Sequence, residues 1–150
     1  MEDVFLYKTN VNWKMGRIGE LNEGQMTPIT VATPPEFPKG VPNTWSPEHL
    51  FVASVNVCLM TTFLAIAENS KLEFSSYTAD AVGKLEKVDG MFLISEITLK
   101  PIITIINQKD IEKAYKIIDK SENYCLISNS IKSKIILEPE VIWVEKASKE

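Results

Sequence analysis

Two cysteines stand far apart in this chain of 150 residues, and theirs are the side chains best suited to chemistry. Cys58 lies inside an apolar run spanning 50–67, and Cys125 opens the segment Cys125-Leu126-Ile127-Ser128-Asn129. A lone buried cysteine ordinarily serves as a small hydrophobe. Two of them, each followed by helix-forming residues, also suit a thiol pair that cycles between reduced and disulfide states. Cys58 is a nucleophile only as a thiolate, which apolar burial opposes and a nearby cation favours. No basic residue stands within a helical turn of it, so the cation has to arrive from elsewhere in the fold. Arg17, the single arginine among 16 basic residues, sits beside Gly16 and Gly19 and is the natural candidate. A guanidinium holds an anion through a planar fork that lysine lacks, although a plain surface turn accounts for an arginine equally well. Glu48 and His49 mark a helix start. The helix dipole is sufficient reason for the acid, and a solvated or structural role is sufficient for the histidine.

Composition narrows the function classes. Hydrophobic residues make up 45% and charged residues 24%, ordinary for a soluble globular protein. The length fits one domain, residues 1–150, with a real core. A net charge of -4, with lysines scattered rather than clustered, argues against a nucleic-acid partner. Two cysteines are too few for a disulfide-built secreted scaffold. The start, Met-Glu-Asp-Val-Phe-Leu-Tyr-Lys, lacks the charged-then-apolar plan of a signal peptide. The run 50–67 approaches membrane-spanning length, but it carries Ser54, Asn56, Thr61 and Thr62 and lacks basic flanks. It therefore reads as a buried core helix, with no membrane role. The expected location is the cytoplasm, where a cysteine pair is more often catalytic, redox-active or metal-binding than structural. One histidine and no closely spaced cysteines argue against a metal site, and no cofactor is expected.

The elements that must position these residues follow from pattern. Residues 3–13, rich in Val, Phe, Tyr and Trp, read as a strand, followed by a tight turn around Arg17 and a strand over 27–33. Four prolines and a glycine make 33–44 an irregular loop, long enough to be functional or interfacial. Ser46-Pro47 opens a helix to about residue 68 or 70 that is apolar nearly all round. So long an apolar helix needs a sheet wrapped around it or a partner over it. Strands over 73–86 and 92–106 meet at an Asp89-Gly90 hairpin turn. The first has a small face at Ala79, Ala81 and Gly83, and the second has a bend or edge at Pro101. Asn107 and Asp110 resemble a capping box before an amphipathic helix with Ile111, Ala114, Tyr115 and Ile118 on one face. A short helix near Cys125, a strand over 135–144 and a charged tail complete the chain. The class is α+β, a curved antiparallel sheet around a long central helix.

The stretch Ser46-Pro47-Glu48-His49-Leu50, the ten-residue step from Glu48 to Cys58, and the element Cys125-x-x-Ser128-Asn129 together resemble the OsmC/Ohr family. These are the osmotically inducible and organic hydroperoxide resistance proteins. The resemblance runs from the Gly16-Arg17 turn to the final strand. It implies a thiol-dependent peroxidase for organic hydroperoxides and hydrogen peroxide. Cys58 matches the peroxidatic cysteine, Cys125 the resolving one, Arg17 the arginine that holds the thiolate, and Glu48 the acid that holds the arginine. It also implies an external dithiol reductant, lipoyl-type or thioredoxin-like. The family's second element often reads Cys-Pro-x-Ser-Asn, and Leu126 stands here in place of the proline.

Glu48 and Cys58 are ten residues apart on one expected helix, which separates them by roughly 15 Å and about 80° of turn. They can serve one thiolate only if a second copy of the helix runs antiparallel beside the first. An intertwined homodimer with sites built from both chains follows. The alternative is a non-catalytic protein on the same dimeric fold, binding a small apolar ligand with inert cysteines.

Overall fold

The computed structural model describes residues 3–145, so the charged tail at 146–150 lies outside the described residues. The backbone gathers into two compact units, residues up to Leu50 and residues from Phe51 onward.

The first unit is a three-stranded antiparallel sheet of β1 (Asn10–Met15), β2 (Ile18–Asn22) and β3 (Ile29–Ala32) in that order. Only the last part of the expected 3–13 strand forms. Residues 3–9 pair with no strand among the described residues, and Val4, Phe5, Leu6 and Tyr7 stand exposed. Gly16 supplies the left-handed backbone, φ 53°, that closes the β1–β2 turn. The proline-rich loop curls on itself, with Phe37 N–H donating to Pro34 C=O at 3.1 Å and Val41 N–H to Thr33 C=O at 2.9 Å.

Helix α1 (Pro47–Asn69) starts where Ser46 and Pro47 place it. The Ser46 hydroxyl accepts the His49 N–H at 3.1 Å and meets His49 Nδ1 at 2.6 Å, which makes this histidine part of the cap. By length and composition α1 passes for a membrane span. Its stripe of Val55, Leu59, Phe63 and Ala67 instead packs into the core of the second unit. Each large side chain buried there contributes roughly 1.5–3 kcal/mol.

The second unit's sheet is built on β4 (Phe74–Val88) and β5 (Met91–Ile105), an antiparallel hairpin turned by Asp89 and Gly90 at positive φ. The expected small face of β4 lets α1 approach closely. A Cβ at Gly83 would run into Val52, and Asn56 Nδ2 donates to Ala79 C=O at 3.0 Å. On β5 the alternate residues Ile97, Leu99, Pro101, Ile103 and Ile105 are all buried.

Several expectations change here. The last strand is two, β6 (Lys134–Leu137) and β7 (Glu140–Trp143), interrupted at Pro139. Both run parallel to β5, so this sheet is mixed rather than antiparallel throughout. Pro101 is not on an edge strand. It falls where the neighbour of β5 changes from β6, paired through Leu99, to β7, paired from Ile102, and a missing N–H costs least at that gap. The capping box does not form either. Asn107 makes no side-chain cap bond, because a 3-10 turn, Gln108–Asp110, precedes α2 (Ile111–Asn123). The buried face of α2 is Ala114, Ile117, Ile118 and Ser121. Tyr115 lies outside it and accepts the Val141 N–H at 3.2 Å through its hydroxyl. In place of a short helix after Cys125 there is one 3-10 turn, Ser128–Ser130.

Candidate active site

Each unit carries two of the four residues singled out from sequence. In the first, Arg17 sits at the β1–β2 turn with its side chain exposed, and its carbonyl accepts the Thr33 N–H at 3.4 Å. Glu48, half-buried, lies in the first turn of α1. Among the described residues the ion pair formed is Lys84–Glu86, at 3.5 Å, so Arg17 and Glu48 are not paired within the chain. Arg17 is the charged member of a largely apolar cavity of 590 Å³ lined by Val11, Trp13, Ile18, Leu21, Val31 and Leu50 among others.

In the second unit the two thiols meet. Cys58 borders the buried stripe of α1 and is 8% exposed, while Cys125, two residues past α2, is fully buried. Both are free. Burial pushes the Cys125 thiol above its ordinary range. Ser128 pulls it down, and the neighbouring Cys58 pushes it up again. The pair is thus brought together across 67 residues of sequence by packing of α1 and α2 on one sheet face. The apolar side chains Phe51 and Phe63 belong to the core packing: Phe51 is partly buried against it, and Phe63 is fully buried, edge-on to Phe74 at 5.2 Å and tilted against Tyr77 at 5.1 Å between ring centroids. Among the described residues no three His, Cys, Asp or Glu side chains gather as metal ligands.

Sequence reasoning missed two members of this neighbourhood, Glu122 and Tyr77. Glu122 Oε2, Ser128 Oγ and Tyr77 Oη are all buried without a hydrogen-bond partner of regular geometry among the described residues. Burial raises the Glu122 carboxyl and Ser128 opposes it. The Tyr77 phenol is driven above its usual range by burial, then by Cys125 and Glu122. The available signal for Glu122 was an acid in the last turn of a helix, where the dipole disfavours negative charge.

The family follows from these elements and from comparison. The model of the family described as OsmC-like protein matches residues 40–140. The chain belongs to the OsmC-like protein family. Its sequence is similar to the uncharacterized protein YmaD of Bacillus subtilis, 25% identical over 134 residues that cover 86% of this chain and 88% of that one. Its OsmC-like fold is similar to that of an OsmC-like protein of unknown function from Vibrio cholerae. The TM-score is 0.82 at 24% identity, over 91% of this chain and 99% of that one. An organic hydroperoxide resistance protein from Elizabethkingia anophelis superposes with a TM-score of 0.75 at 21% identity, over 96% and 100% of the two chains.

The raised Glu122 carboxyl makes stability depend on pH. A folded-state pKa above the unfolded value of about 4.5 means that the folded protein binds the proton more tightly. The stabilisation is complete below about 4.5 and is lost as pH rises through the raised value. Glu122→Gln removes that loss. Urea midpoints across pH are expected to coincide for variant and wild type in acid and to favour the variant at neutral pH.

Proposed function

We propose that this OsmC-like protein is a thiol-dependent peroxidase that reduces organic hydroperoxides, and hydrogen peroxide besides, in defence against oxidative stress. The observation that carries the reading is the pairing of two free, distant cysteines, one at the edge of a helical core stripe and one at the end of a second helix. Family membership and the hydroperoxide resistance protein among the structural relatives support it.

The Cys58 thiolate attacks the distal peroxide oxygen. The O–O bond breaks, an alcohol or water leaves, and the sulfur becomes a sulfenic acid. Arg17 holds the thiolate and stabilises charge on the leaving oxygen, and Glu48 holds Arg17. Cys125 then condenses with the sulfenic acid, which forms a disulfide and protects Cys58 from further oxidation. An external dithiol, lipoyl-type or thioredoxin-like, reopens it by exchange. Such cycling suits a cytoplasmic protein.

The whole chain, residues 1–150, acts in this reading as a single domain in an intertwined homodimer. Helix α1 continues unbroken from Pro47 to Asn69, so Glu48 and Cys58 remain ten helical residues apart on it. A second copy running antiparallel beside the first places its Glu48 near the first chain's Cys58, where Glu48 can hold Arg17. The exposed stripe of Val57, Thr61, Leu64 and Ala65 on α1 is the surface such a copy would cover.

The Arg17-bearing cavity favours a second reading, a non-catalytic protein that binds a small apolar ligand. Peroxide consumption with a dithiol reductant separates the two. Wild type is expected to consume cumene hydroperoxide catalytically and Cys58→Ser to be inactive. Wild type that consumes neither an organic hydroperoxide nor hydrogen peroxide leaves the binding reading standing. Sedimentation is expected to give a dimer for wild type and a monomer for Leu64→Glu, and a fully active wild-type monomer would refute the shared site.

A further inference from the structure

The resolving cysteine presents a problem of its own. Cys125 must attack as a thiolate, yet it is fully buried and its thiol is pushed toward the protonated form. Arg17 is assigned to Cys58 and does not solve this. Disulfide closure needs a group that takes the Cys125 proton.

The chain around Cys125 provides one. Cys125 N–H donates to Glu122 C=O at 3.1 Å, and Asn129 N–H donates to Cys125 C=O at 3.0 Å. One turn therefore closes on Glu122 before Cys125 and another opens from Cys125 after it, and these turns bring the Ser128 side chain beside both the Cys125 thiol and the Glu122 carboxyl. Glu122 Oε2 and Ser128 Oγ are buried with no regular partner, an arrangement that a purely structural core avoids and that calls for an explanation. The carboxylate also sits where the C-terminal end of a helix disfavours its charge.

We propose that Glu122 accepts the Cys125 proton through the Ser128 hydroxyl when Cys125 closes the disulfide onto Cys58. This rests on the peroxidase reading and adds a positioning residue to it. The Cys125 proton passes to Ser128 as the Ser128 proton passes to the Glu122 carboxylate. The Cys125 sulfur attacks the Cys58 sulfur, the S–S bond forms and the S–O bond of the sulfenic acid breaks. The departing hydroxide recovers the proton from Glu122 and leaves as water. The sulfenic acid is the oxidant, and no other reagent enters. The titratable groups near Glu122 are Cys125, three residues on, and Tyr77 on β4, and Cys58 on α1 lies next to Cys125. Burial holds the proton on the Tyr77 phenol, so it is no base. Burial raises Glu122, which makes it a stronger base than an exposed carboxylate.

Single-turnover kinetics test this. Reduced wild type, Glu122→Gln and Glu122→Asp are mixed with one equivalent of cumene hydroperoxide from about pH 6 to about pH 9. Sulfenic acid is trapped with dimedone and disulfide is followed by loss of free thiol. All three are expected to form the Cys58 sulfenic acid equally fast. Wild type should close the disulfide at a rate nearly flat across neutral pH. Glu122→Gln should close it roughly a hundredfold more slowly at neutral pH, with a rate that climbs with hydroxide concentration, and Glu122→Asp should regain part of the loss. Should Glu122→Gln not fold, Ser128→Ala is expected to show the same slowing and the same pH profile. Normal sulfenic acid formation followed by closure at the wild-type rate and pH profile in the variants overturns this proposal alone. No sulfenic acid in wild type overturns the peroxidase reading, and this proposal with it.

Discussion

A helix of 23 residues that is apolar nearly all round has to be covered on more than one side, and one chain of 150 residues offers it one sheet face. Helix α1 meets that sheet with Val55, Leu59, Phe63 and Ala67. The fit depends on a strand that has almost no side chains where the helix crosses it. Gly83 leaves room for Val52, and the Ala79 carbonyl takes the Asn56 amide. Cys58 lies at the border of this buried stripe and keeps a small exposed edge. The opposite stripe, Val57, Thr61, Leu64 and Ala65, is left exposed by the described residues, and the proposed dimer answers that constraint.

The sheet that receives α1 also delivers Cys125. Strand β5 is the central strand, flanked by β4 on one side and by β6 and β7 in succession on the other. Its buried residues support α2 as well as α1, and the turn after α2 brings Cys125 to Cys58. The price is a group of buried polar atoms, on Glu122, Ser128 and Tyr77, that a core built only for stability would replace with carbon.

Much of this was legible in the residues because it is written locally. Ser46 and Pro47 mark a cap, Asp89-Gly90 marks a hairpin, and Gly16 marks the turn that carries Arg17. The two cysteines stood out by type alone, and their meeting rests on tertiary packing. What was not legible is set by that packing. The parallel course of β6 and β7 depends on where α2 sends the chain, and no alternation pattern records it. Pro101 reads as a bend or an edge residue until the change of partner along β5 is known. Glu122 reads as one more surface acid on an amphipathic helix until burial sets it beside Cys125 and Ser128.

The central claim is that Cys58 and Cys125 are a working redox pair. Mass spectrometry of the reduced protein treated with one equivalent of an organic hydroperoxide tests it most directly. The account predicts loss of two hydrogens per chain and a disulfide-linked peptide pair containing Cys58 and Cys125. Recovery of both thiols unchanged, or Cys58 carried on to sulfinic acid while Cys125 stays free, would contradict it.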